Sequence, residues 1–318
     1  MNTSDVIKAY LAARRAQGVQ LRSGARALRQ FARETGNLPI GEVTRQAVAT
    51  FLHGHGALSA AWTTKYRLLA GLYRFATARG HAETSPLPEF KPKLPPQQTP
   101  YVYSHAELQS LLNATAALKS PLCRLRAETY RTLLLVLYGA GLRISEAIRL
   151  TVVDVDLTER VLTIRKTKFY KSRLVPIGVQ LAVALTDYFV QRSTLPMPKG
   201  QESTFLCSRS GCHLTYQSVV TQFQRIRSHA SITCPPGELR PPRLHDLRHT
   251  AAVHRVLAWY QCGKDVQQLL PYLATYLGHA DIVSTQRYLR MTPELLQEAS
   301  SRFAAYAQYE NVQEVDHA

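Results

Sequence analysis

The sequence predicts a mainly α-helical chain of two domains, with one small β-sheet confined to the second. Apolar residues recur at helical spacing along most of its 318 residues. The only β-like runs are Val161-Leu162-Thr163-Ile164 and Arg173-Leu174-Val175-Pro176, which flank a Lys-rich turn. Pro86, Pro88, Pro92, Pro95, Pro96 and Pro100 crowd one segment. Proline removes backbone donors and disfavours helix at the residue before it, so this is where the first domain ends. The expected organisation is a helical N-terminal domain over 1–90, a Pro-rich linker over 91–100 and a C-terminal domain over 101–318. The length suits two domains of about 150 residues each.

The first domain reads as several helices separated by breaks at Gly18, Gly36 to Pro39, Gly54 to Gly56 and Gly80. In one of them Arg22, Arg26, Arg29 and Arg33 fall at i, i+4, i+7 and i+11 beside an apolar stripe of Leu21, Ala25, Leu28 and Ala32. A solvated surface face normally mixes signs, whereas this one carries no acid until Glu34, which favours contact with phosphates. A second helix, from about Trp62 to Arg79, sets Arg67 and Arg74 opposite Leu68, Leu72 and Phe75.

After the linker, helices are expected over Ser104 to Ala116 and Leu125 to Tyr138. Ser104 serves as N-cap and Glu107 completes a capping box. Gly139-Ala140-Gly141 breaks the chain, a short helix follows from Ile144 to Leu150, and the two β-runs come next. Helices return from Val179, interrupted near Pro196 to Gly211 and at Pro235, Pro236, Pro241 and Pro242. The last helical candidates are Leu244 to Trp259, Asp265 to Tyr276, which Pro271 is expected to kink or restart, and Ile282 to Leu289. There is no internal repeat.

The charge balance narrows the partners. Lys and Arg number 39 against 22 Asp and Glu, a formal net charge of +17, with a pI near 9.9. Residues 1–98 hold 14 basic and 5 acidic side chains, so the smaller domain is the more basic per residue. Such a field favours a polyanion. No apolar run approaches the roughly 20 residues that span a bilayer, and Lys8, Arg14 and Arg15 interrupt any secretory leader. The expectation is a soluble, cytoplasmic, nucleoid-associated protein with no membrane partner. Five scattered cysteines make no disulfide framework. Cys207, Cys212 and His213 lack a second close pair of ligands, so no metal site is expected. No Gly-rich nucleotide-binding loop is present, and no cofactor is expected.

The chemistry concentrates in two places. His245-Asp246-Leu247-Arg248 is followed by Leu277-Gly278-His279 and then Tyr288, while Arg143 lies upstream in Gly141-Leu142-Arg143-Ile144-Ser145-Glu146. A phosphodiester under attack gathers negative charge in a pentacoordinate transition state, and preorganised donors there stabilise it by several kcal/mol. Two arginines suit this, since each guanidinium stays protonated and offers forked donors; a pair can replace a divalent ion. His245 and Arg248, three apart on a helix, share a face. A tyrosine is a weak nucleophile near neutrality unless a neighbour such as a histidine takes its proton. The leaving hydroxyl needs a proton in turn, which a lysine can supply. Lys168 at the hairpin tip is placed for this, with Lys166 and Lys171 close by.

This ordered set resembles the tyrosine recombinase, or phage integrase, family over nearly the whole chain. The matching residues are Gly-Leu-Arg143-Ile-Ser-Glu146, the lysine before Arg173-Leu-Val-Pro, His245-Asp-Leu-Arg248-His, Leu-Gly-His279 and Tyr288. The resemblance implies a helical core-binding domain and a catalytic domain that clamp DNA. It implies that Tyr288 attacks the scissile phosphate to give a 3′-phosphotyrosine and a free 5′-hydroxyl, and that a partner strand's 5′-hydroxyl reverses the step. Arg143 and Arg248 would hold the phosphate, with Lys168 as general acid, His245 as a candidate base, His279 bonding the phosphate region and Glu146 supporting Arg143. The partners implied are double-stranded DNA with specific paired sites and three further copies of the chain, as a homo-tetramer on DNA formed from a monomer free in solution. The segment from His249 to His279 is longer than in Xer-type members and resembles that of transposon-borne integrases, which points to integration or excision of a mobile element. Leu295, Leu296, Phe303 and Tyr306, at helical spacing, would either dock on a neighbouring protomer or pack within the chain.

Two other readings share part of this pattern. A type IB topoisomerase-like relaxase would use the same phosphotyrosine chemistry as a monomer and reseal the original strand. An inert sequence-specific DNA-binding protein would form no covalent complex. The Xer-like helical N-terminal domain and second histidine favour recombination over the first, and the intact set of six residues argues against the second.

Overall fold

A computed structural model describes residues 1–318 except 20, 96–98, 122, 124, 166–171, 239, 279–299 and 301–318, with backbone alone for Arg22. The chain divides into two compact units, residues 1–99 and 100–318.

Among the described residues the first unit holds four α-helices, α1 (Thr3–Ala16), α2 (Arg22–Glu34), α3 (Arg45–His53) and α4 (Ala60–Ala78). Their starts follow local chemistry: the Thr44 hydroxyl accepts from Ala47 N at 3.2 Å and the Ser59 hydroxyl from Ala61 N at 3.4 Å. Each satisfies an amide that the first turn leaves without a partner. Val6, Ile7, Leu28, Phe31, Leu69 and Leu72 meet in a core, where each full burial is worth roughly 1.5–3 kcal/mol. Two glycines let the helices approach. A Cβ on Gly24 would stand 2.8 Å from Leu68 Cδ2, and one on Gly71 would stand 2.6 Å from the Tyr10 hydroxyl.

The second unit carries the small sheet. Its helices are α5 (His105–Ala114), α6 (Arg126–Gly139), the single turn α7 (Ile144–Ala147), α8 (Val179–Ser193), α9 (Tyr216–His229), α10 (Asp246–Gln261) and α11 (Val266–Leu277). Strands β1 (Val155–Asp156), β2 (Val161–Ile164) and β3 (Arg173–Pro176) form an antiparallel sheet in that order. Register pairs Leu162 with Val175 and Ile164 with Arg173. Leu162, Ile164 and Val175 enter the core with α6 and α8, while Leu174 points outward. The expected capping box is present: Glu107 N donates to the Ser104 hydroxyl at 3.2 Å and Ser104 N to Glu107 Oε2 at 2.8 Å.

Three details differ from the expectation. The helix expected over Ile144 to Leu150 ends after one turn, because Arg149 N and Leu150 N bond three residues back, to Glu146 O and Ala147 O. Strand β1 is only two residues long and has no alternation to read. Helix α11 continues through Pro271 without restarting. Pro271 sits on the exposed side, and the burial of Leu270, Leu273 and Leu277 against α10 outweighs the bond that proline removes. The tail residues Leu295, Leu296, Phe303 and Tyr306, and the helix expected over Ile282 to Leu289, lie outside the described residues. Among the described residues no helix is long and apolar enough to cross a membrane.

Candidate active site

The site is built where three elements meet the end of α11. After α6 the chain turns through Gly141, whose φ of +59° suits glycine, and a Cβ there would lie 2.7 Å from Leu277 Cδ2. This turn delivers Arg143, in extended conformation, to the start of α7. Glu146 then folds back on it: Oε2 accepts from Arg143 N at 3.0 Å and Oε1 from Arg143 Nη1 at 2.8 Å.

Arg248 arrives from α10. A tight turn brings it there, with Asp246 N, Leu247 N and Arg248 N bonding three residues back to Arg243, Leu244 and His245. The carboxylate of Asp246 closes this turn by accepting from Arg243 N at 2.8 Å and from Arg243 Nη2 at 2.9 Å. The helix is tied to the start of the unit through the Tyr103 amide, which donates to the Thr250 hydroxyl at 3.0 Å. Arg248 is fully buried. Its Nη1 donates to Gly141 O at 2.6 Å and its Nη2 to Leu277 O at 2.6 Å.

A third arginine, on β3, completes the arrangement. Arg173 makes a bidentate pair with Glu146, Nη1 to Oε1 at 3.0 Å and Nη2 to Oε2 at 2.9 Å, and its Nε donates to Tyr276 O at 3.1 Å. Arg143 Nη2 donates to Gly278 O at 2.8 Å. Three successive carbonyls at the end of α11, those of Tyr276, Leu277 and Gly278, thus each accept from a different guanidinium. The last carbonyls of a helix have no partner within it and carry the negative end of its dipole, so this is a favourable place for cations.

The electrostatics follow from these contacts. Burial alone would raise the carboxyl of Glu146, but the hydrogen bonds and charges of Arg173 and Arg143 hold it at about 2. It is therefore a permanent anion that aligns two cations. Desolvation, then the charges of Arg248, Arg243 and Arg143, lower the pKa of His245, against a smaller opposing effect of Asp246. Its imidazole is neutral near pH 7 and able to accept a proton. Burial brings neighbouring His249 down to about 4.

The structure brings Arg143, Glu146 and Arg248 together around Leu277 and Gly278, with His245 at the start of the same helical segment as Arg248. Arg143 keeps 37% of its side-chain surface exposed, and among the described residues its guanidinium makes two bonds of the five N–H donors it carries. Lys168, His279 and Tyr288 lie outside the described residues. Reading the sequence alone missed a structural part for Arg173, Asp246 and Gly278. Arg173 stood in the Arg-Leu-Val-Pro run and Gly278 in Leu-Gly-His, but their partners are far off in the chain. Tyr276 is engaged elsewhere, its hydroxyl donating to Pro176 O at 3.1 Å.

In the first unit, Arg26, Arg29, Arg33, Arg67 and Arg74 are exposed, and the side chain of Arg22 is outside the description. Arg29 and Arg33 line, with Lys8 and Arg15, a groove of about 440 Å³ floored by Ile7 and Leu11. Cys207 is buried beside the Tyr188 hydroxyl, and His213 Nδ1 lies 2.9 Å from the Thr204 hydroxyl. These contacts are those of a packed loop. Among the described residues no cluster of three or more His, Cys, Asp or Glu could hold a metal ion.

Comparison with known proteins agrees with this geometry. A sequence model of the phage integrase family matches residues 102–294. The chain is 34% identical to the putative integrase/recombinase y4rB of Sinorhizobium fredii, over 93% of this chain and 95% of that protein. It is 32% identical to the tyrosine recombinase XerD of Mycobacterium tuberculosis, over 87% and 89%. In fold it resembles a lambda integrase tetramer bound to a Holliday junction, with a TM-score of 0.66 at 16% identity over 91% of this chain and 77% of that one. A helical unit with a three-stranded sheet, arginines gathered at one helix end and a family match over most of the chain have one common meaning: the chain belongs to the phage integrase family and is a tyrosine recombinase, an enzyme that cleaves and rejoins DNA strands.

Proposed function

We propose that the chain recombines specific paired DNA sites for integration or excision of a mobile element, with Tyr288 as nucleophile. Its phenolic oxygen attacks the scissile phosphorus as His245 accepts the proton. The bond to the 5′ oxygen breaks, Lys168 protonates that oxygen, and a 3′-phosphotyrosine remains. A 5′-hydroxyl from the partner duplex then attacks the same phosphorus, returns its proton to Lys168 and releases Tyr288, whose phenolate takes back its proton from His245. One phosphodiester is exchanged for another, so no external energy is required.

Arg143 and Arg248 act on the non-bridging oxygens, where charge grows in both transition states, and His279 hydrogen-bonds the same group. The convergence of Arg143 and Arg248 on the two residues before His279 is the observation that carries this reading. The N-terminal unit, 1–90, serves as the core-binding DNA domain, 91–100 as linker and 101–318 as catalytic domain. Arg22, Arg26, Arg29, Arg33, Arg67 and Arg74 neutralise backbone phosphates. The working form is a tetramer on DNA, assembled from monomers in the nucleoid-bearing cytoplasm. Its support is the family and the assembly of lambda integrase on a Holliday junction.

A nicked duplex built from the DNA that flanks the gene tests this. The nick lets a short fragment diffuse away after cleavage and traps the intermediate. Wild-type protein is expected to form a denaturant-resistant complex with DNA that Tyr288→Phe does not form. A complex surviving in Tyr288→Phe, or none with wild type, overturns the proposal.

A further inference from the structure

We infer that Arg173 is a positioning residue, locking the Arg143 loop, the paired strands β2 and β3 and the Leu277-Gly278 end of α11 into one frame. The inference rests on the function proposed above.

Three features of the structure carry it. Both oxygens of Glu146 are shared: Oε1 accepts from Nη1 of Arg143 and of Arg173, and Oε2 from Arg143 N and Arg173 Nη2. Arg173 thereby decides how the carboxylate is rotated, and the carboxylate decides where Arg143 points. The other edge of the guanidinium reaches Tyr276 O, 103 positions away in the chain. A lysine could make one of these contacts, but it has no planar fork with a donor on a second edge.

The space is also matched. Gly278, with φ +69°, leaves room in which a Cβ would stand 2.7 Å from Arg173 Nη1 and 2.8 Å from Cζ. Only glycine lets the guanidinium lie against the end of α11. Arg173 pairs with Ile164 in the sheet register, so its fixed guanidinium also anchors the last paired residues of β2 and β3 before their connection.

Its side chain is 12% exposed, which distinguishes it from Arg143. It reaches the reaction through Glu146 and the α11 end, and the test must separate this from a general structural role. Full-length wild type, Arg173→Gln and Arg173→Lys are compared on the nicked duplex described above, for DNA affinity, single-turnover cleavage at saturating protein and the pH dependence of cleavage. Hydrogen exchange is followed at residues 266–278 in the absence of DNA.

The expected result is unchanged affinity, with cleavage slowed on the order of 100-fold in Arg173→Gln, the scale of a misplacement of ~1 Å. The acid limb of the cleavage profile moves to higher pH, because Glu146 has lost the partner that offsets its burial, and adding Glu146→Gln abolishes the displaced limb. Amides at the end of α11 exchange faster. Should Arg173→Gln fail to fold, Arg173→Lys carries the same comparison with a smaller loss.

Cleavage at the wild-type rate overturns the inference, as does slowed cleavage with an unmoved pH profile, or unchanged exchange at the α11 end. If wild type itself fails to cleave while Arg173→Gln still loosens α11, the recombination reading falls and the anchoring role stands.

Discussion

Gly278→Ala perturbs the α11 end at one atom. An alanine at φ +69° carries the left-handed strain of an L-residue, about 1–2 kcal/mol. Its Cβ also meets Arg173 at Nη1, Cζ and Nε, at 2.7, 2.8 and 3.0 Å. That guanidinium is no loose end, since three hydrogen bonds hold it. Moving it breaks at least one charge-assisted bond, roughly 1.5–3 kcal/mol. The sum is about 2.5–5 kcal/mol. Gly263→Ala supplies the control, because Gly263 has the same φ of +69° with nothing within 4 Å of its Cβ position. It should show the strain alone. The assay is denaturant unfolding in a Trp62→Phe background, where the remaining Trp259 reports on the second unit; Trp62 and Trp259 are the two tryptophans. Equal destabilisation by the two alanines would refute the reasoning.

Other outcomes follow from the same contacts. Arg248→Lys should cut cleavage severely while DNA affinity holds, because one ammonium cannot bridge Gly141 O and Leu277 O and still present a fork to phosphate; near-normal single-turnover cleavage would remove Arg248 from the site. Stability should depend on acid in two windows. His249 has a lowered folded pKa, so the unfolded state takes up protons first, and stability is lost as pH falls from 6.5 to about 4. Glu146 is depressed from 4.5 to about 2, so its contribution, of order 3 kcal/mol at about 1.4 kcal/mol per pH unit, is complete above 4.5 and lost as pH falls to about 2. Unfolding midpoints measured across these ranges, with His249→Gln and Glu146→Gln flattening their respective windows, provide the check. The Arg29→Ala/Arg33→Ala double variant should weaken DNA binding and lower the salt slope by about 2, near 0.9 per phosphate contact; an unchanged slope would place those arginines away from DNA.

Much of the fold was legible in the sequence because its signals are local. The Ser104–Glu107 box needs only three residues of separation, the α2 stripe only a helical repeat, and the hairpin only two β-rich runs. What escaped depends on partners far away. Glu146 was read as a support for Arg143, three residues off, but Arg173 reaches it from 27 positions on, and no pattern in either segment announces the pair. The start of α10 shifts from Leu244 to Asp246 because the Asp246 carboxylate caps a tight turn, a choice visible only once Arg243 is seen to bond it. The helix expected over Asp265 to Tyr276 is present as α11, and tertiary burial of Leu270, Leu273 and Leu277 carries it through Pro271 without a restart. Of the six expected catalytic residues, the structure describes Arg143, His245 and Arg248. Lys168, His279 and Tyr288 rest on motif alone, which is why chemistry on DNA must decide them.

Mass spectrometry of the trapped protein–DNA complex is the most direct measurement. After digestion, the account expects the nucleotide remnant on the peptide that contains Tyr288, joined through a 3′-phosphate, with a free 5′-hydroxyl on the released strand. A remnant on Tyr276, Tyr272 or any other residue, or a 5′-phosphate linkage, would contradict it.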